Sequence, residues 1–354
     1  MRFTHETLPQ RVRFASGAAA EGLAAEVDAL GAHRVMVVSG RSQAELARSL
    51  AADLPVVAWT DDVAMHVPVE VAERGRALAA DAAADLLVCV GGGSTTGLAK
   101  AVALTTGLPI VAVPTTYAGS EVTEVWGLTE RGTKTTGRAA SVLPRAVVYD
   151  ATLTVGLPVD LSVASGLNAV AHCVDSLWAP AADPVDAALA GEGLRLLAEG
   201  LPRVVAEHTA LEGREQVLLG AYLAAVAFAS AGSGLHHKVC HVLGGMFGLP
   251  HAQTHAVVLP HVLALNAPHA PEASARVARA LGGGDAVTAL HSLHERLGAP
   301  VALRDLGMPA DGIDAAVEAV VASAPPGNPA PVTSETVRGL VQRAWDGAAP
   351  SPGA

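Results

Sequence analysis

From residue 34 to 150 the apolar positions fall in short, uninterrupted runs: RVMVV, PVVAW, DLLVCV, PIVAV and AVVYD. Ala-rich stretches such as SQAELARSLAAD and PVEVAERGRALAADAAA part them, with apolar residues recurring at helical spacing. Runs without polar alternation suit strands covered on both faces, and strands alternating with helices build a parallel sheet with crossover helices. After Pro158 the strand runs stop. SVASGLNAVAHCVDSLWA, DAALAGEGLRLLAEGLPRVVAEH, EQVLLGAYLAAVAFASA, PEASARVARALG and DAVTALHSLHERLG keep a helical period, which predicts an all-α second half. The expected division is an α/β domain over 1–157 and a helical domain over 158–354. SAPPGNPAPVTS reads as a Pro-rich loop before a last helix around ETVRGLVQRAW, and AAPSPGA as a frayed tail.

Composition narrows the chemistry. At 354 residues, 51% hydrophobic and 3% aromatic, the chain can build two cores from Ala, Val and Leu. A net charge of −11 argues against nucleic acid or an acidic membrane as partner, since both need a basic face. Cys89, Cys173 and Cys240 are widely spaced, without a CxxC pair, and read as buried free thiols of a reducing compartment. MRFTHETLPQRVRF lacks a signal pattern and no run reaches the length of a membrane span, so a soluble, cytoplasmic protein is expected.

The glycines and hydroxyls cluster where strands end. Gly91, Gly92, Gly93 and Ser94 follow DLLVCV and precede the helix-like TTGLAKAVAL, a turn whose backbone N–H groups can approach a pyrophosphate at a helix N-terminus. A tight turn without a ligand would use the same glycines. The next strand runs into Thr115, Thr116 and Ser120, on the sheet edge where open α/β sheets bind nucleotides. The first strand ends in Ser39, Gly40 and Arg41, with no acid to grip an adenosine ribose, so a 2′-phosphate is not repelled and Arg41 could pair with it. A solvated turn arginine is the other reading.

Six of the fourteen histidines lie between His236 and His261, and His172 follows Asn168 by one helical turn. An acid at 168 with three imidazoles would hold a divalent ion; Asn168 is neutral and a poor ligand. Any one of these histidines alone is more simply structural, but so many in so apolar a segment point to a shared site. Only three of the 23 basic residues are lysines, and Lys100, Lys134 and Lys238 all fall beside these segments, as an anion-handling site would require.

GGGSTTGLAKAVALTTGLPIVAVPTTYAGSEVT, GLNAVAH and LHHKVCHVLGGMFGLPHAQTHAVVLPH resemble the iron-containing (group III) alcohol dehydrogenase superfamily. Within it the likeness is closest to the branch that acts on maleylacetate; DDVAMHVPVE, TTGRAASVLPRAVVYD and ALRDLGMP extend it over nearly the whole chain. The resemblance implies a dehydroquinate synthase-like fold, with a Rossmann-like NAD(P)-binding domain, a helical catalytic domain, a cleft between them and a homodimer. It places Gly91, Gly92, Gly93 and Ser94 at the pyrophosphate and Thr115, Thr116 and Lys134 near the nicotinamide half. Asn168, His172, His237 and His251 fall at the superfamily's one aspartate and three histidine ligands, with His241 beside them. Gly40 stands where NAD-specific relatives carry an aspartate.

The implied reaction, a step in aromatic-compound degradation, adds hydride from NADH or NADPH and a proton across the C=C bond of maleylacetate, giving 3-oxoadipate. Charge pushed onto the ketone oxygen can be met by imidazole N–H donors or Lys238, so no tightly bound metal is expected. A carboxylate at 168 would repel the dianion by about 3 kcal/mol at roughly 5 Å and an effective dielectric near 20. Lys238, Arg138 and His66 are the candidates for gripping its carboxylates, and His172, His237 or His251 for donating the proton. The alternatives are a metal-dependent alcohol or polyol dehydrogenase, a lyase of the dehydroquinate-synthase type that retains its NAD, and a binding protein without activity.

Overall fold

A computed structural model describes residues 2–131 and 133–351, without the side chains of 133 and 134. The chain divides into two compact units: Leu8–Leu157, and the remainder from Pro158 onward together with the segment ahead of Leu8.

In the first unit six strands form one sheet in the order β1-β8-β5-β4-β2-β3, every neighbouring pair parallel. They are β1 (Arg11–Phe14), β2 (Val35–Ser39), β3 (Val56–Thr60), β4 (Leu86–Gly91), β5 (Ile110–Pro114) and β8 (Ala146–Tyr149). The strands β2, β4 and β5 are buried at every position, which explains their unbroken apolar runs. Val35, Val37, Val88, Val90, Val111 and Val113 pack with Leu23 and Val27 of α1 (Ala19–Ala29) and Ala47 of α2 (Ala44–Leu50). Strand alternation sends the other set to the opposite face, where α4 (Gly93–Thr106) lies beside α3 (Val69–Asp81). Burying each of these valines contributes roughly 1.5–3 kcal/mol.

An antiparallel hairpin, β6 (Val125–Glu130) and β7 (Thr133–Arg138), stands apart from the sheet. Neither it nor β1 follows from the apolar pattern. RVRF is a four-residue edge strand with mostly exposed positions, and the hairpin is rich in Thr and Gly with no fully buried position among its described residues.

The second unit is helical among its described residues: α5 (Val159–Ser176), α6 (Pro184–Ala206), α7 (Leu211–Ala231), α8 (Leu235–Phe247), α9 (His251–Asn266), α10 (Pro271–Ala280), α11 (Ala286–Leu297), α12 (Ile313–Ala322) and α13 (Ser334–Asp346). Asp183 caps α6, its side chain accepting from the N–H groups of Val185 and Asp186. His5 Nδ1 meets the other Asp183 oxygen at 2.9 Å. This contact helps attach the segment ahead of Leu8 to the helical unit, correcting its expected place in the α/β domain. The three cysteines are buried and free. Among the described residues no single helix is long and apolar enough to cross a membrane.

Candidate active site

The parallel sheet presents the C-terminal ends of its strands along one edge. Chain order leaves β2 toward β3 on one side and returns to β4 on the other, so the topological switch point lies between the ends of β2 and β4, where doubly wound sheets bind ligands. Ser39 closes β2, with Gly40 and exposed Arg41 just beyond it, and Gly91 closes β4 in register beside Pro114 of β5.

Gly91 has φ +154°, and a Cβ there would lie 2.5 Å from Thr95 Oγ1; one on Gly92 would lie 2.9 Å from Thr116 Cγ2. The turn is thus closed to larger residues, with the Thr95 and Thr116 side chains packed against it. Gly93 and Ser94 begin the 14-residue α4, so their N–H groups have no acceptor a turn earlier and remain available to an anion. The residues fit a dinucleotide pyrophosphate. Thr115 is buried, its N–H bonded to the Gly91 carbonyl at 3.1 Å, and Thr116 flanks the turn.

Lys100 corrects the lysine reading. It is fully buried on α4, and Nζ donates to the carbonyls of Ser120 (2.6 Å), Thr123 (2.7 Å) and Val125 (2.9 Å) and to Thr123 Oγ1 (3.0 Å). Burial pulls its pKa down to about 7. This lysine ties the segment carrying Ser120 to α4, and the acids that act on it, Glu121 and Glu124, belong to that same segment. Lys134 lies on β7, and its side chain is outside the described residues. His66 and Arg138 are exposed in the same unit. His66 has φ +61°, and its carbonyl accepts from Thr129 Oγ1 at 2.8 Å; Arg138 lies 3.9 Å from Glu124.

In the helical unit three helices bring the imidazoles together. On α5, Asn168 and His172 are both buried, one turn apart as their spacing requires, and Asp175 follows on the same helix. The next contributor, α8, brings His236, His237, Lys238 and His241, while the first turns of α9 bring His251 and His255. The His172 and His237 rings stack at 5.1 Å, and Phe228 of α7 packs against both, at 4.7 and 4.3 Å. His241 and His251 are exposed, their rings 6.2 Å apart, and Lys238 is half-buried beside them.

Behind this layer His236 and His255 are fully buried, with His236 Nε2 and His255 Nδ1 2.9 Å apart. Sequence reasoning missed both, and Asp175 too. His236 and His255 were visible only as members of the His-rich segment, and Asp175 only as an acid one turn past His172.

Burial lowers the pKa of His172 to about 4 and of His236 to about 3, and holds His237 and His255 well below the usual imidazole value, with neighbouring imidazoles adding to the last three. At neutral pH these rings are uncharged. The expectation that His172 or His237 titrates near working pH is therefore corrected for the protein alone; a bound dianion would raise both.

Asn168 Oδ1, His172 Nδ1, His237 Nε2 and His255 Nε2 are buried without hydrogen-bond partners. Yet His172, His237 and His251 do not gather three donor atoms. Among the described residues the His-containing groups with ligand atoms within 4.8 Å of one another are His236, His237 and His255, and His5, Asp183 and Asp186. Asn168 stands where the resemblance places an aspartate ligand, and His236, His237 and His255 form a buried group whose atoms lie close enough together to hold an ion.

The model of the iron-containing alcohol dehydrogenases matches residues 9–151, and the C-terminal model of the Fe-containing alcohol dehydrogenase family matches 162–345. The chain belongs to the iron-containing alcohol dehydrogenase family. It is 48% identical to a maleylacetate reductase of Sphingobium indicum, over 99% of each chain. Among solved structures, an iron-containing alcohol dehydrogenase of Corynebacterium glutamicum is 56% identical at a TM-score of 0.96, with 98% of this chain and 97% of that one covered. The maleylacetate reductase of Rhizobium sp. is 44% identical at a TM-score of 0.94, covering 99% of this chain and 100% of its own.

Proposed function

We propose that this chain is an NAD(P)H-dependent oxidoreductase that reduces the C=C bond of maleylacetate to 3-oxoadipate. The observation that carries the reading is its full-length likeness to maleylacetate reductases. The site supports it: neutral imidazoles, an amide at 168 and Lys238 form a surface suited to an anionic substrate.

When bound, the nicotinamide supplies the hydride. Gly91, Gly92, Gly93 and Ser94 would hold the pyrophosphate, with Thr115, Thr116 and Ser120 along the same edge and Ser39, Gly40 and Arg41 at the adenosine end. The absence of an acid at Gly40 leaves both NADH and NADPH acceptable. Lys238 would pair with a substrate carboxylate, with Arg138 and His66 as further anion contacts. N–H donors of the imidazole layer would meet the charge that develops on the ketone oxygen. Asn168 keeps a negative charge away from the dianion, and the reaction would need no tightly bound metal. A homodimer is proposed from the family likeness alone.

The test is turnover. Purified protein should oxidise NADH in the presence of maleylacetate and fail to reduce NAD⁺ with simple alcohols. Alcohol oxidation without maleylacetate turnover would favour a metal-dependent alcohol dehydrogenase.

A further inference from the structure

We propose that His5, Asp183 and Asp186 form a binding site for a divalent cation, Zn²⁺ by the character of the donors, which pins the segment ahead of Leu8 to the start of α6. The site uses none of the residues of the proposed reduction and stands independently of it.

Asp183 is the N-cap of α6 and Asp186 its third residue; both are buried, Asp186 completely. Asp183 Oδ1 is committed to the helix, accepting from the N–H groups of Val185 at 2.7 Å and Asp186 at 2.9 Å. Its Oδ2 lies 2.9 Å from His5 Nδ1. Asp186 Oδ1 stands 3.6 Å from the same nitrogen, and Ser230 Oγ of α7 stands 3.2 Å from it. Two carboxylates and a hydroxyl thus converge on one ring nitrogen, which carries at most one hydrogen. If that hydrogen serves Asp183, Asp186 gains nothing from it, and both Asp186 oxygens are buried without a hydrogen bond. Burial, and then the neighbouring Asp183 charge, raise the Asp186 pKa over the opposing pull of Ser230 and His5. A carboxylate so placed is costly to the fold unless a cation joins it.

The spacing suits an ion at the centre. Ligands held at bonds of about 2.1 Å stand about 3.0 Å apart at octahedral angles and about 3.4 Å apart at tetrahedral ones. The separations around His5 Nδ1 bracket this range, and the ligand atoms of His5, Asp183 and Asp186 all lie within 4.8 Å of one another. One imidazole with two carboxylates is a zinc donor set, and two carboxylates match the charge of the ion while His5 stays neutral. The His5 side chain is 16% exposed, which leaves the ion a way in from solvent. His5 precedes every strand and helix of the chain, so the ion would fasten this segment to α6 where the protein itself offers only the His5 contacts.

The test uses metal-stripped full-length protein and Zn²⁺. Isothermal titration should show one more equivalent bound by the wild type than by His5→Gln or Asp186→Asn. Crystals soaked in Zn²⁺ should show an anomalous peak between the side chains of His5, Asp183 and Asp186. At about 100 times its Kd the ion should raise the wild-type Tm by roughly 5–10 °C more than that of either variant. Asp186→Asn preserves the shape of the side chain, and the anomalous map requires no variant, so a misfolded mutant leaves the proposal testable. No anomalous peak at His5 in the wild type, or an Asp186→Asn protein that binds as many equivalents as the wild type, overturns the proposal. The second result would make Asp186 a protonated neighbour of the α6 cap. None of these readouts uses maleylacetate, so failure of the proposed reduction would leave the ion site standing.

Discussion

Replacing Lys100 with Met removes an ammonium and leaves a side chain of similar length. The Ser120 carbonyl keeps Thr123 as a second donor, at 3.3 Å from its N–H and 3.2 Å from its hydroxyl, so the loss falls on the carbonyls of Thr123 and Val125. A buried carbonyl deprived of its donor costs roughly 1–3 kcal/mol, which puts the pair at about 4 kcal/mol. Sparing Lys100 the desolvation of its charge offsets this loss at and below about pH 7, so the full figure applies in the alkaline range, where the folded side chain is a neutral amine whose N–H groups still serve both carbonyls. At roughly 2–4 °C per kcal/mol for a unit of this size, the melting transition of the sheet unit should fall by about 8–16 °C at about pH 9, and by less near neutral pH. The pH dependence has a definite sign. Between about 7 and 10.5 the unfolded chain holds a proton at Lys100 that the fold has released, so Lys100 makes wild-type stability rise with pH across that window. Over the whole window the rise amounts to at most about 5 kcal/mol. The Met variant lacks it, so the gap between the two proteins should widen from about pH 7 to about pH 10. Differential scanning calorimetry and urea titration read both effects. A Tm within about 2 °C of wild type and a gap that does not change with pH would refute the assignment of Lys100 as the tie between α4 and the 120–125 segment.

Asn168→Asp should raise the equivalents of Fe or Zn retained on purification while lowering maleylacetate turnover through repulsion of the dianion; elemental analysis with kinetics checks both, and stoichiometric metal in a chelator-sensitive wild type would contradict a metal-free reduction. Wild-type KM values for NADH and NADPH should lie within about two decades of each other, with Arg41→Ala weakening NADPH selectively, as initial-rate kinetics will show. Lys238→Met should raise KM for the dianion by about tenfold, equivalent to one charge-assisted hydrogen bond, with Tm nearly unchanged; a destabilised protein with unaltered KM would make Lys238 structural.

The sheet was legible because its strands are buried on both faces and announce themselves as unbroken Val, Leu and Ile runs, with glycines following β4. The hairpin was not, because strands that are Thr-rich and only half-buried or exposed at their described positions carry no periodic signal. Spacing along one helix placed Asn168 and His172 together, whereas the His237–Asp175 bond joins residues 62 apart and depends on how α5 packs near α8. Composition misled at Lys100. A rare lysine beside a glycine turn suggested an anion, and only its four oxygen partners show that it serves the fold.

The proposed reaction stands or falls on whether hydride goes to an alkene carbon and leaves the ketone intact. The protein should be given NADH deuterated at the transferable position together with maleylacetate in ordinary water, and the product examined by mass spectrometry and NMR. The expected product is 3-oxoadipate carrying one deuterium, on the methylene next to the more distant carboxylate, with the keto group retained. Deuterium on a carbinol carbon, with the double bond still present, would show carbonyl reduction and contradict it.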